Sequence, residues 1–152
     1  MSFLQQYNAL LAKVEDAVDD ALEHEAAEEV KDIMEEQTGY QIYSYDASAM
    51  AIATRRVDHG GLGDRRNMVA DVVRIAAIPA AKETEYELTV ANVAPFQFPS
   101  GGSVALSDVV EKGLPGYNQP GPRPFVAGTQ EQAIASGRAY RALKDGLKRQ
   151  GF

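Results

Sequence analysis

Four arginines and a run of glycines are the first residues of this chain whose types and spacing could do chemistry. Arg55-Arg56 and Arg65-Arg66 bracket Gly60-Gly61-Leu62-Gly63-Asp64 within twelve residues. Bare glycine amides can cradle an anion, and guanidinium forks match phosphate oxygens, so an anionic substrate or a phosphate backbone is what such a stretch could take. The glycines are not followed by the Gly-Lys-Ser or Gly-Lys-Thr of a phosphate loop, and the residues before them are charged rather than a buried strand. A tight loop needing positive φ angles is the simpler reading. No aromatic side chain interleaves the arginines, and the chain carries a net charge of −7. Pairing with acids of the N-terminal helix or of a neighbouring subunit is therefore more economical than binding a phosphate backbone, and no sequence-specific nucleic-acid partner is expected.

Other combinations fall short of a site. Asp58, His59 and Asp64 could hold a cation, but their spacing matches neither a calcium loop nor a His-Glu-x-x-His motif. His24 and Glu28 lie one helical turn apart, as carboxylate-bridged metal ligands would. Ala21, however, stands where a Glu-x-x-His motif needs its glutamate, which leaves a solvated helical pair. Ser100, Ser103 and Ser107 lack a Gly-x-Ser-x-Gly setting, and the two histidines sit in polar contexts that give no triad a base. The absence of cysteine excludes disulfides, thiolate zinc sites and a cysteine nucleophile. The expectation is a protein with no catalytic residue, no cofactor and no metal.

The elements that would position these residues follow from periodicity. Leu11, Val14, Val18, Leu22, Val30, Ile33 and Met34, with Ala21 and Ala26, form an apolar stripe that predicts an amphipathic helix over 3–37, stopping at Thr38-Gly39. Tyr40, Ile42, Tyr43 and Tyr45 favour extended structure. Met68–Ala77 and Glu85–Val93 predict an antiparallel strand pair turned at Lys82–Thr84, the second strand alternating Tyr86, Leu88 and Val90 against polar neighbours. Residues 94–125 are loop-rich around a short helix, Leu106–Lys112, and such irregularity suits segments ordered by partners. Thr129-Gln130-Glu131-Gln132 reads as a capping box opening a C-terminal helix over 129–150, in which Gly137 and Gly146 suggest close backbone packing. Phe125, Tyr140, Leu143 and Leu147 are expected to pack on the strand pair.

Charge is distributed by segment. Between Leu11 and Gln37 eleven acidic residues face only Lys13 and Lys31, whereas from Arg123 to Phe152 six basic residues face only Glu131 and Asp145. Ends of opposite sign suit head-to-tail packing within a chain or between subunits. With 152 residues, 45% of them hydrophobic and 24% charged, the chain is one α+β domain. No run approaches the ~20 apolar residues of a membrane span. The start, Met1 to Gln6, lacks the charged and apolar regions of a signal peptide, so a soluble chain made in the cytoplasm is expected.

Tyr43-Ser44-Tyr45, Arg55-Arg56, the loop Gly60 to Asp64 and Asn67-Met68 together resemble a pattern of small minor structural proteins of long-tailed bacteriophages. Pro122-Arg123-Pro124-Phe125 and the closing run Ala142 to Phe152 are similar to that family's ending, so the resemblance spans 40–70 and 120–152. It implies a neck, head-tail connector or tail-completion component, made in the host cytoplasm and residing at the head-tail junction of the virion. It further implies an α+β subunit of a homo-oligomeric ring, most simply a hexamer, with neighbouring neck and tail proteins as partners. The interface candidates are then Arg55, Arg56, Arg65, Arg66, Arg138, Arg141, Lys144 and Lys148, with Tyr43, Tyr45, Phe96 and Phe98 supplying apolar area. The rival reading is a bacterial enzyme or small anionic-ligand-binding domain using the Gly/Arg-rich loop.

Overall fold

The computed structural model describes residues 1–43, 60–76, 84–97, 100–112 and 123–152. Tyr45, Arg55, Arg56, Asp58, His59, Phe98, most of the expected turn at Lys82–Thr84 and the Pro- and Gly-rich residues 113–122 of the loop-rich segment lie outside the described residues. So does the side chain of Tyr43.

One helical spine runs from Phe3 to Tyr43. Ser2 and Gln5 close a capping box at its start: the Gln5 amide donates to Ser2 Oγ at 3.3 Å, and the Ser2 amide to Gln5 Oε1 at 2.8 Å. Its regular parts are α1 (Phe3–Ala21) and α2 (Ala27–Thr38), and each is followed by a wider π-helical turn, Leu22–Ala26 and Gly39–Tyr43. Buried positions explain the first wide turn. Ala17 and Ala21 are four apart, Ala26 follows after five, and Met34, Thr38 and Ile42 resume the four-residue step. One extra residue rotates everything downstream by about 100°, keeping one seam turned inward from Ala17 to Ile42. The same row accounts for a departure from expectation. The helix does not stop at Thr38-Gly39, and Tyr40–Tyr43 are helical rather than extended, because Ile42 continues the buried row into the core.

The strand pair forms as expected. β1 (Met68–Ala76) and β2 (Thr84–Asn92) run antiparallel, with Val72 opposite Leu88 and Ala70 opposite Val90. Residues 84, 86, 88 and 90 are half-buried, and the alternate ones face water. Within the stretch read as loop, β3 (Pro95–Gln97) and β4 (Ser103–Ala105) make a second small antiparallel sheet, leading into α3 (Leu106–Lys112).

The single C-terminal helix expected over 129–150 is two. α4 (Phe125–Ala135) begins four residues early, behind Pro124, and Thr129 is a buried interior residue whose hydroxyl donates to the Phe125 carbonyl at 2.7 Å. Gly137, at φ 66°, breaks the chain before α5 (Arg138–Arg149). α4 packs on α2, while α5 crosses α1 and the first wide turn. The closing helix therefore lies along the spine rather than on the strand pair. Tyr140 is exposed, and Leu143 and Leu147 are half-buried. Phe125 alone of that expected group reaches the core, with Met34, Ile42, Leu62, Met68 and Ala94, and Val90 packs against this cluster. Gly146 marks where α5 meets the spine: a Cβ there would stand 2.7 Å from the Ala21 Cβ.

Two stability outcomes follow from this packing. Phe125→Ala should cost about 3–5 kcal/mol, lowering the thermal midpoint by many degrees. Gly146→Ala should cost about 1–3 kcal/mol, because Ala21 has no flexible end to withdraw. Calorimetry of both variants checks the core and the helix crossing separately.

Candidate functional site

The spine's carboxylates organise the charged surface. Arg65, which follows the glycine loop, donates from Nη2 to Glu28 at 2.8 Å and also bonds Asp32, with Glu35 at 3.4 Å. Arg74 on β1 reaches Asp19 at 2.5 Å, Asp16 at 2.9 Å and Glu15 at 3.6 Å. Arg138 at the start of α5 takes Glu29 at 2.5 Å and forks onto both oxygens of Glu36 at 2.8 and 3.0 Å. Arg149 at its end takes Glu25 at 2.5 Å and Asp20 at 2.6 Å. Ten of the eleven acids between Leu11 and Gln37 are thus held by four arginines, and Glu23 is the exception among them.

These clamps shift the acids in the direction their geometry demands. The Arg149 guanidinium lowers Glu25, Lys31 and then Arg65 lower Glu28, and Arg138 lowers Glu36. All four clamping arginines are pushed further up, Arg65 chiefly by Asp32 and Arg74 chiefly by Asp19. His24, exposed on the first wide turn, places Nδ1 2.9 Å from the Asp20 carbonyl oxygen and 3.4 Å from its carboxylate. That backbone contact and the neighbouring acids raise its pKa.

The glycine loop is closed on itself. The Gly60 amide donates to Asp64 Oδ2 at 2.7 Å, the Arg66 amide and Nε donate to Oδ1 at 3.0 Å each, and Arg66 Nη2 reaches Oδ2 at 2.6 Å. The chain's own carboxylate thereby occupies the anion position that these donors create. The Arg66 guanidinium, then the Gly60 amide, hold Asp64 well below the usual carboxylate range. Gly60, at φ 84°, has the left-handed backbone that glycine favours. The loop's product is packing: it drives Leu62 into the core, and Asn92 ties it to the end of β2 by donating to the Leu62 carbonyl at 2.7 Å. Asn92 also accepts from the Ala94 amide at 3.1 Å, and its carbonyl accepts from Ser107.

Of the predicted interface residues, Arg65 and Arg138 are engaged on the spine within the chain, and Arg66 is engaged by Asp64. Arg141, Lys144 and Lys148 lie on the outer face of α5, with Lys144 5.7 Å over the Tyr140 ring and Lys148 3.6 Å from Asp145. Phe96 is half-buried on β3. Arg74, Arg149 and Asn92 lie outside the set the sequence predicts. Arg74 shares the strand face of Ala70 and Val72, and Arg149 stands eleven residues, three turns, from Arg138; both patterns were readable. An apolar groove of about 540 Å³ opens between β2 and α4, lined by Val30, Met34, Leu88, Val90, Val126 and Ile134 among others. Among the described residues no group of three or more His, Asp or Glu is placed to hold a metal, and no helix is long and apolar enough to cross a membrane.

The geometry defines an α+β fold whose acidic helical spine is gripped by arginines from the strand pair, from the loop before it and from the last helix. A family model, YomN, matches residues 6–149, which include the spine's acids and all four clamping arginines, and the chain belongs to that phage-derived family. No curated protein and no solved structure matches it.

The clamps predict an asymmetric pH profile. Glu25, Glu28, Glu36 and Asp64 titrate lower folded than unfolded, so their contribution is complete above the unfolded carboxylate range of about 4–4.5 and is lost as pH falls through the folded values. His24 titrates higher folded, so its smaller contribution is complete below about 6.5 and fades as pH rises through its folded value. Urea midpoints measured from pH 3 to 8 should therefore fall on the acid side. Arg138→Met combined with Arg149→Met should lower the plateau modestly, as exposed ion pairs do, and flatten that acid limb.

Proposed function

We propose that the chain is a non-enzymatic structural protein of a phage virion, a neck or tail-completion component that assembles as a ring and joins head to tail. Its membership of a phage-derived family carries this reading. The residues that resemble minor structural proteins of long-tailed phages narrow it to the head-tail junction, and the sixfold symmetry of long tails suggests six copies. Partners would be further copies of the chain and the neighbouring neck and tail proteins, in a virion assembled in the host cytoplasm.

Two features of the molecule support an assembling subunit. From Ser2 to Ala12 the spine carries no charged side chain, and it exposes Phe3, Leu4 and Leu10. Apolar helix ends of this kind are uncommon on monomers and mark contact surfaces. The glycine loop, which the rival anion-binding reading needs, commits its Gly60 amide and the flanking Arg66 to Asp64. An enzyme or ligand-binding domain would need them free.

Inactivating the gene in a phage that carries it should leave full heads and separate tails visible by electron microscopy, and supplying the protein should restore joining. Reversing Arg55 and Arg56 to glutamate should leave the purified chain folded and reduce its incorporation into particles. Normal virions without the protein, or a large thermal shift with a nucleotide or phosphate, would overturn the reading in favour of its rival.

A further inference from the structure

We infer that the outer face of the strand pair and the outer face of α5 are the two halves of one head-to-tail contact, so that the strand pair of one copy receives the last helix of the next. The inference rests on the ring reading and names its surfaces.

The register sorts the strand pair into two faces. One, with Ala70, Val72, Arg74, Tyr86, Leu88 and Val90, carries the arginine that clamps the spine. The other sets Val69 opposite Ala91, Asp71 opposite Thr89, Val73 opposite Glu87 and Ile75 opposite Glu85. On this outer face Val69 and Val73 are 48% exposed and Ile75 is 41% exposed. Three β-branched apolar side chains therefore stand in a row in water, and every charge among them is acidic. Asp71, Glu87 and Glu85 belong to none of the arginine clamps. They occupy successive rungs about 7 Å apart, because every second residue of a strand shares a face.

α5 shows the opposite arrangement. Arg138, Gly146 and Arg149 serve the spine, which leaves Tyr140, Arg141, Lys144 and Lys148 pointing outward. Tyr140 is 64% exposed, with the Lys144 ammonium 5.7 Å over its ring. The bases climb the helix in rises of about 4.5 and 6 Å, and Asp145, paired with Lys148, is the acid among them. An acid-rimmed apolar ridge and a base-rimmed aromatic ridge of similar pitch are thus both exposed on one chain. Being exposed together, they are not partners within a copy. Complementary patches at different places on one subunit make a heterologous contact, which closes into a ring when its rotation allows. Single exposed ion pairs add little, so Val69, Val73, Ile75 and Tyr140 supply the apolar centre and the charges set the register.

Charge exchange tests this on the full chain. Asp71→Lys with Glu87→Lys makes both faces basic, and Lys144→Glu with Lys148→Glu makes both acidic. Each variant alone should assemble at least about tenfold more weakly by light scattering, and an equimolar mixture should recover assembly, since acidic and basic faces then alternate around an even ring. The chain has no cysteine, so Val73→Cys mixed with Tyr140→Cys should form a mixed disulfide under mild oxidation, while neither variant links to itself. Assembly of each reversed variant at parental strength, or an oligomer whose positions 73 and 140 do not link, overturns these surfaces and leaves the ring standing. A chain that neither assembles nor links at any concentration overturns self-association through these faces. The head-tail reading then stands or falls on the gene-inactivation experiment.

Discussion

A helix with eleven carboxylates and two lysines between Leu11 and Gln37 repels itself, and the rest of this molecule is arranged to answer that repulsion. Acids three and four residues apart on one helix destabilise it by a few tenths of a kcal/mol per pair. Arginine suits the remedy because its planar fork can grip two carboxylates at once while remaining charged at any working pH. The four gripping arginines are spread along the chain at 65, 74, 138 and 149, two from the strand region and two from the ends of α5. The N-terminal helix is neutralised only when both other parts of the chain have come to it. Each bond is half-exposed and individually worth at most about 1 kcal/mol. Their combined effect is to set which part of the spine each segment docks on, while Phe125, Met34, Leu62 and Met68 provide the burial that holds the docked parts.

The π-helical turn at Leu22–Ala26 makes this arrangement geometrically consistent. A regular helix drifts relative to a four-residue repeat, since four residues advance it by 400°. Without the inserted residue, the acids held by Arg65 would be turned about 100° further round the helix axis from those held by Arg74, harder to reach for a strand pair and loop that approach from one side. α5 crosses at this same wide turn, with Gly146 against Ala21, so the place where the helix is re-phased is also where a second helix approaches closely. Glycine is required there by distance, whereas Gly137 is required by its left-handed φ of 66°. Gly137 and Gly146 thus do different physical jobs, although both weaken a helix equally as sequence.

Periodic elements were legible in the residues. The α+β class, the long acidic helix, the strand pair and the short helix at Leu106–Lys112 were each written in a repeat of about 3.6 or 2. What was hidden depended on tertiary context. Aromatic content argued for extended structure at Tyr40–Tyr43, yet Ile42 had a core position to fill, and burial overrode local preference. Thr129-Gln130-Glu131-Gln132 has the composition of a helix start, but the true start lies behind Pro124, and Thr129 bonds backward to Phe125 as interior threonines do. Four arginines around a glycine loop suggested an anion site, and the structure separates the two it describes: Arg66 closes the loop on Asp64, and Arg65 turns to the spine. Net charge by segment indicated that the two ends attract. It could not say which arginine meets which acid, because that pairing is made across 102 to 129 residues of chain for Arg138 to Glu36 and Arg149 to Asp20.

The clamps also determine what is left for other molecules. Once ten acids of the spine are engaged, its large negative charge is mostly internal bookkeeping, and the charges that still face outward are sorted differently. Arg141, Lys144 and Lys148 remain on α5, and Asp71, Glu85 and Glu87 remain on the strand pair. A net charge of −7 therefore misdescribes the surface a partner meets, which is locally basic on one element and locally acidic on another. Such a surface does not favour general attraction to a polyanion. It favours partners that present both signs at a fixed separation, as a second copy would in the head-to-tail contact proposed above.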